Sequence, residues 1–455
     1  MEKIEVSIIS KHTIKPSAST PRLQPYKLTL LDQLTPAMYV PMVFFYPITD
    51  PVFNLPQTLA DLRQALSETL TLYYPLSGRV KNNLYIDDFE EGVPYLEARV
   101  NCDITDFLML RKIECLNEFV PIKTFSMEAI SDERYPLLGV QVNIFDSGIA
   151  IGVSGSHKLI DGRTADCFLK SWGAVFRGCR EDIIHPCLSE AALLFPPRDD
   201  LPEKYIALME GLRFAGKKVS TRRFVFDAKT ISAIQDEAKS ESVPKPSRVQ
   251  AVTGFLWKHL IVASRALTSG TTSTKLSIAA QAVNIRSRMN METVLDNATG
   301  NLMWWAPAIL ELSHTTPEIS DLKLCDLVNL LNGSVKQCND DYFETFKGKE
   351  GYESMCEYLD FQRIMSSIEP TPEIYTFSSW TSFFNQLDFG WGRSSWIGVT
   401  GKIESAYCNS TVLVPTQCDT GIEAWVSLEE EKMATLKQDP QFLAAASPNP
   451  PVSRC

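Results

Sequence analysis

Between Gly139 and Phe176 the chain changes its hydrophobic period once, and this constrains the fold more than any other feature of the sequence. Val140, Val142 and Ile144 alternate with Gln141 and Asn143, the period of a strand. Asp146-Ser147-Gly148 supplies a turn, and Ile149, Ile151 and Val153 resume the alternation, so residues 139–156 read as a hairpin. Beyond it, Ala165, Phe168, Leu169, Trp172, Val175 and Phe176 fall at helical spacing along one face. A strand pair feeding into an amphipathic helix belongs to α/β architectures. The segment at the switch, SHKLIDG (156–162), lies where such folds hold reactive groups.

With 455 residues the chain is too long for one ordinary core. FPPRDDLPEK, from Phe195, opens a weakly patterned stretch that reads as a crossover linker over 195–220. It separates an N-terminal domain, 1–194, from a C-terminal domain, 221–455. In the second, Ser247-Arg-Val-Gln250 is a capping box, and Val249, Val252, Leu256, Leu260 and Ala263 form the stripe of the helix it opens. TSGTTST (268–274) reads as a surface loop.

A net charge of -11 disfavours a nucleic-acid partner, which demands a basic face, yet leaves room for a local pocket that binds phosphate. The apolar run Ala37–Tyr46 is short and contains Pro41, so no membrane partner is expected. The N-terminal segment has no signal-peptide core, and the eleven cysteines include no C-x-x-C pair, which reads as reduced thiols in a cytoplasmic protein. No histidine pair has metal-ligand spacing, so no metal is expected. Walker, dinucleotide and G-x-S-x-G patterns do not occur.

His157 is the residue with chemistry to offer. Imidazole titrates near pH 6.5, so its neutral form accepts a hydroxyl proton at cellular pH. Asp161 lies four residues on, followed by Gly162. The spacing alone is weak, and a strand-end histidine bonded to backbone fits it equally well.

SHKLIDG resembles the H-x-x-x-D-G signature of the BAHD acyltransferases, plant enzymes that use acyl-CoA. DFGWG (388–392) is identical to that family's second signature. LTLLDQ (28–33), YYPLSGR (73–79), RRFVFD (222–227), VNIRSRMN (283–290), Gly300-Asn301 and GIEAW (421–425) are also similar to the family, so the likeness covers nearly the whole chain. Between the motifs the sequence most resembles the strawberry-type fruit alcohol acyltransferases. Asn284 stands where many relatives place Asp in D-x-R-x-R, as in the alkaloid- and ester-forming branch. ATGNLMW (298–304) replaces the Y-F-G-N-C motif of malonyl-transferring flavonoid enzymes.

The resemblance implies an α/β fold of two similarly sized mixed-sheet domains, like chloramphenicol acetyltransferase, with a channel between them. It implies His157 as general base, reachable from both ends of that channel. Asp161 and Asp388 belong to the catalytic motifs, with Asp161 turned away to pair with Arg286 and Asp388 shaping the site indirectly. Ser378 and Trp380 occupy family positions beside the reacting centre. An acidic protein must concentrate positive charge to hold coenzyme A, and a helix N-terminus offers unpaired N–H groups. Its nucleotide end is therefore expected near Ser247, Lys245, Arg248 and Arg288, with Asn284 and Arg286 completing the set. The implied activity is transfer of acetyl and other short- to medium-chain groups from acyl-CoA to small aliphatic, simple aromatic or terpenoid alcohols, forming volatile esters. A monomer with no tightly bound cofactor is expected. Two alternatives remain: an N-acyltransferase with an amine acceptor, and a non-catalytic acyl-CoA-binding relative.

Overall fold

A computed structural model describes residues 3–17, 23–110, 112–122, 134–211, 218–267, 276–289, 295–312, 322–399, 401 and 408–452. The hairpin forms at Leu138–Phe145 and Gly148–Ser156, with Val140 opposite Val153. Both faces of the first strand are buried, so its alternation does not divide core from solvent. Gln141 Nε2 donates to the Glu118 carbonyl at 2.8 Å, and Asn143 Nδ2 donates to that of Phe119 at 2.9 Å. The 3₁₀ segment Ile113–Phe119 covers the polar face, and its carbonyls take up those buried donors.

This hairpin lies in a mixed six-stranded sheet, ordered Val6–Ile14, Val93–Val100, Leu138–Phe145, Gly148–Ser156, Tyr39–Pro47 and Trp396–Gly398. The last strand comes from the second half of the chain, pairing antiparallel with Val43–Phe45. A second, seven-stranded mixed sheet runs Met303–Glu311, Leu276–Asn284, Glu373–Ser379, Ser410–Pro415, Ile422–Glu429, Val219–Phe226 and Ser447–Pro448. Helices pack on each sheet, giving two α/β units as the sequence predicts. Leu55–Leu72 and Gly162–Arg177 lie together on the first, and Trp172 Nε1 donates to the Leu62 carbonyl. Arg248–Leu267 and Leu324–Gln337 cover the second.

The predicted capping box is present: Gln250 N donates to Ser247 Oγ at 3.1 Å, and Ser247 N to Gln250 Oε1 at 2.9 Å. Within 195–220, Glu203–Gly211 is helical, with Tyr205 buried in a third apolar cluster beside Leu30, Leu31, Ile285 and Leu302. The linker there is a packed element because its aromatic residue has a core to enter. TSGTTST lies outside the described residues. Nine described cysteines are free thiols, but Cys418 is disulfide-bonded, which corrects the all-thiol expectation. Among the described residues, no helix is long and apolar enough to cross a membrane.

Candidate active site

His157 follows directly on the strand Gly148–Ser156 and precedes the helix Gly162–Arg177. Its amide donates to the Met38 carbonyl at 2.7 Å, fixing the backbone at the strand end. Its ring lines a cavity of about 620 Å³ walled by residues of both sheets.

The imidazole tautomer follows from its neighbours. Asn301 Nδ2 donates to the His157 carbonyl at 2.7 Å and to Asp32 Oδ1 at 2.9 Å. Both contacts require the amide nitrogen, so Asn301 Oδ1 is the atom that faces His157 Nδ1 at 3.0 Å. An amide oxygen only accepts; therefore Nδ1 carries the proton and Nε2 bears the lone pair. Asp32 anchors the relay: it is fully buried and accepts from Asn301 N at 2.7 Å, Thr29 N at 2.8 Å and Thr29 Oγ1 at 2.8 Å. Burial raises its pKa, although the hydrogen bonds from Asn301 and Thr29 oppose that shift.

Asp161 points elsewhere. It caps the helix through Thr164 N at 2.8 Å and accepts from Arg286 Nη1 at 2.6 Å and Leu302 N at 3.1 Å. Arg286 is 1% exposed, and it also donates to the carbonyls of Ala298 and Gly300 at 2.8 and 2.9 Å. Its donors are thus engaged inside the protein, although the residue also borders the cavity. Gly162 is small for a reason of packing: a Cβ there would stand 2.8 Å from the Phe383 ring.

Asp388, expected with the catalytic residues, is outside the cavity lining. Its Oδ1 accepts from Gly390 N at 2.7 Å and Gly392 N at 3.0 Å. Both glycines have positive φ, 85° and 83°, which the tight bend requires. Arg177 donates to the Asp388 carbonyl, and Phe389 meets Trp172 edge-on at 4.9 Å. A Cβ at Gly173 would come within 2.5 Å of that carbonyl. DFGWG is thus a clasp on the helix that begins at Gly162.

Of the expected coenzyme residues, Ser247, Asn284, Arg286, Arg288, Ser378 and Trp380 line the cavity with His157. Arg288 Nη1 also donates to the Val335 and Cys338 carbonyls, both at 3.1 Å. Arg248 braces the carbonyls of Asp419 and Thr420 and Lys245 is exposed; neither lines the cavity. The sequence reading gave Asp32 and Asn301 no role, although both fall in segments it singled out. Burial pushes the nearby Cys167 thiol up to about 11, so it stays protonated and is no nucleophile. Among the described residues, no group of three or more His, Cys, Asp and Glu is placed to hold a metal.

A model of the Transferase family matches residues 4–443. Limonoid 7-O-acetyltransferase of Citrus sinensis is 36% identical, across 98% of this chain and 99% of its own. Akuammiline synthase 2 of Alstonia scholaris is 34% identical over 99% and 98%. The crystal structure of vinorine synthase superposes with a TM-score of 0.79 at 31% identity, covering 97% of this chain and 98% of that one. The fold extends to the F. graminearum TRI101 complex with coenzyme A and deoxynivalenol, at TM-score 0.70 and 18% identity over 94% and 100%.

Proposed function

The chain belongs to the BAHD family of acyl-CoA-dependent acyltransferases, and on that premise we propose that it transfers an acetyl or other short- to medium-chain acyl group to an alcohol. The observation that carries this reading is the His157 imidazole, held in one tautomer by Asn301 with Nε2 as its accepting nitrogen. A base in that state removes the proton of an alcohol. The alkoxide attacks the thioester carbonyl, the oxyanion collapses, and His157 returns the proton to the departing thiolate of coenzyme A. Ser378, in the cavity lining, is our candidate donor to the oxyanion.

Coenzyme A enters this reading as co-substrate. Its phosphates suit the N-terminus of the twenty-residue helix Arg248–Leu267 at Ser247, with Lys245 and Arg288 supplying charge. The acceptor is assigned from the lining, where Val40, Met42, Ile160, Met303, Trp305 and Phe383 make an apolar surface. Such a surface grips an alkyl or terpenoid alcohol by burial, at about 0.8 kcal/mol per methylene, and leaves the hydroxyls of a sugar without partners. Volatile esters are one product class on this reading. A cavity of about 620 Å³ also takes a drug-sized ligand, in keeping with relatives described as limonoid and stemmadenine O-acetyltransferases.

The test is thiol release from acetyl-CoA with linear alcohols, a terpenoid alcohol, matched amines and a glycoside, with products read by mass spectrometry. Esters of the apolar alcohols are expected. Amide formation exceeding ester formation would replace the O-acyl reading, and thiol release with no acceptor product would remove it.

A further inference from the structure

Phe384 is the strained residue of the cavity wall. Its φ of 64° puts a bulky side chain in the left-handed region, where Cβ crowds the carbonyl. Such conformations persist only where neighbouring contacts hold them, and they gather at functional sites. Here the Phe384 amide donates to Asp166 Oδ1 at 2.7 Å. The ring meets Phe44 edge-on with centroids 5.5 Å apart and Trp380 at 5.7 Å. Asp166 is 1% exposed, and its Oδ2 accepts from Lys170 Nζ at 2.8 Å, with Arg163 Nη1 at 3.5 Å. Fixed from the helix side, this carboxylate holds the loop and does not follow it.

Trp380, Phe383 and Phe384 all line the cavity that contains His157. Phe383 presses on Gly162, the first residue of the helix that follows the base. The aromatic wall therefore borders the reacting end of the cavity, while the coenzyme's phosphates are assigned to the Ser247 end. We propose that Asp166 is a positioning residue that sets acceptor size. By holding the Phe384 amide, it keeps the Trp380–Phe383–Phe384 wall folded against the His157 loop and limits the bulk of the alcohol that reaches the base. This rests on the O-acyltransferase reading. Without the carboxylate, Phe384 relaxes toward negative φ and the wall moves.

The experiment compares the wild type, Asp166→Ala, Phe384→Gly and the double variant. At saturating acetyl-CoA, kcat and KM are measured for a small linear alcohol and for a bulky polycyclic one. A hydrogen bond to a charged acceptor corresponds to at least about a tenfold effect. Asp166→Ala should raise the bulky-to-small ratio of kcat/KM by about that factor, through acceptor KM, with the acetyl-CoA KM unchanged. Glycine adopts the left-handed φ without strain, so Phe384→Gly removes the ring yet keeps the backbone path. It should shift the ratio the same way, and adding Asp166→Ala to it should shift the ratio no further. An unchanged ratio in Phe384→Gly overturns the proposal, even where Asp166→Ala does not fold. A change in acyl-chain preference at constant acceptor ratio overturns it as well. A wild type that acylates no alcohol refutes the parent reading instead, and is recognised before any variant is made.

Discussion

Asp161→Ala removes four hydrogen bonds: two from the Arg286 guanidinium at 2.6 and 3.3 Å, one from Thr164 N at 2.8 Å and one from Leu302 N at 3.1 Å. Loss of the helix cap costs about 1 kcal/mol. Stranding a buried charge by removing its partner costs about 3–5 kcal/mol. Arg286 keeps the Ala298 and Gly300 carbonyls as acceptors, which places its share at the lower end and the total near ~4 kcal/mol. Domains of this size shift by about 2–4 °C per kcal/mol, so the thermal midpoint should fall by about 8–16 °C in calorimetry. Asp161→Asn keeps a capping oxygen and should lose roughly half as much. Assayed well below its own midpoint, Asp161→Ala should retain turnover within about tenfold of wild type, since the carboxylate does not hold the imidazole. An unchanged midpoint together with a fall in kcat of about 10²–10⁴, the range for a lost acid–base group, would refute this reasoning and move Asp161 into the chemistry.

Four further outcomes are expected. His157→Ala should lower kcat by about 10²–10⁴ while the acetyl-CoA binding constant, read by calorimetry, holds; near-normal turnover would exclude His157 as base. Asn301→Ala frees the tautomer and should lower kcat by about 10- to 100-fold, with no effect on turnover as the contrary result. Lys245→Glu should raise the KM for acyl-CoA and leave that of the alcohol; a change in the alcohol constant alone would unseat the phosphate assignment. Burial against Phe255 and Phe442 lowers the His259 pKa, although the contact with Asp439 at 2.6 Å opposes this. Burial pushes the Asp439 carboxyl up, but the His259 contact and the amides of Phe442 and Gln441 together hold it low; on the histidine side desolvation outweighs the ion pair. A depressed histidine contributes stability that is full above about pH 6.5 and is lost as pH falls through the folded pKa. His259→Gln should therefore flatten the fall in thermal midpoint between about pH 7 and pH 5, and an unaltered slope would argue against it.

The hairpin, the helix after it and the capping box at Ser247 were legible, because period and cap chemistry are local properties of sequence, whereas the two-sheet architecture was implied by the resemblance of the motifs to a known family. The relay behind His157 was not legible. Asp32 and Asn301 are far apart in the chain, and their bond at 2.7 Å exists only once the 30–34 helix and the strand Met303–Glu311 share a core. A buried Asp with no local cation in LTLLDQ was the available signal, but from sequence alone it is indistinguishable from an exposed one. Asp388, expected to shape the site indirectly, was ambiguous in its residues alone. An Asp just ahead of two glycines suits catalysis and tight turns alike, and only the amides of Gly390 and Gly392 decide for the turn. Arg248 and Arg286 show the same limit: charge is visible in sequence, and its internal acceptors are not.

The sixth strand of the first sheet sets a condition on how the protein is made. Tyr39–Pro47 carries no charged residue and includes the fully buried Phe44 and Phe45. Among the described residues, the strand paired along its outer edge is Trp396–Gly398. On the ribosome, the last strand of the first half is complete roughly 240 residues before that cover. At about 5–20 residues per second the nascent sheet waits on the order of ten to fifty seconds with an open apolar edge. Such an edge invites pairing with another chain. Truncations that stop short of residue 398, and fragments cut at the linker, should thus be recovered as aggregates or chaperone complexes, while the intact chain closes its own edge.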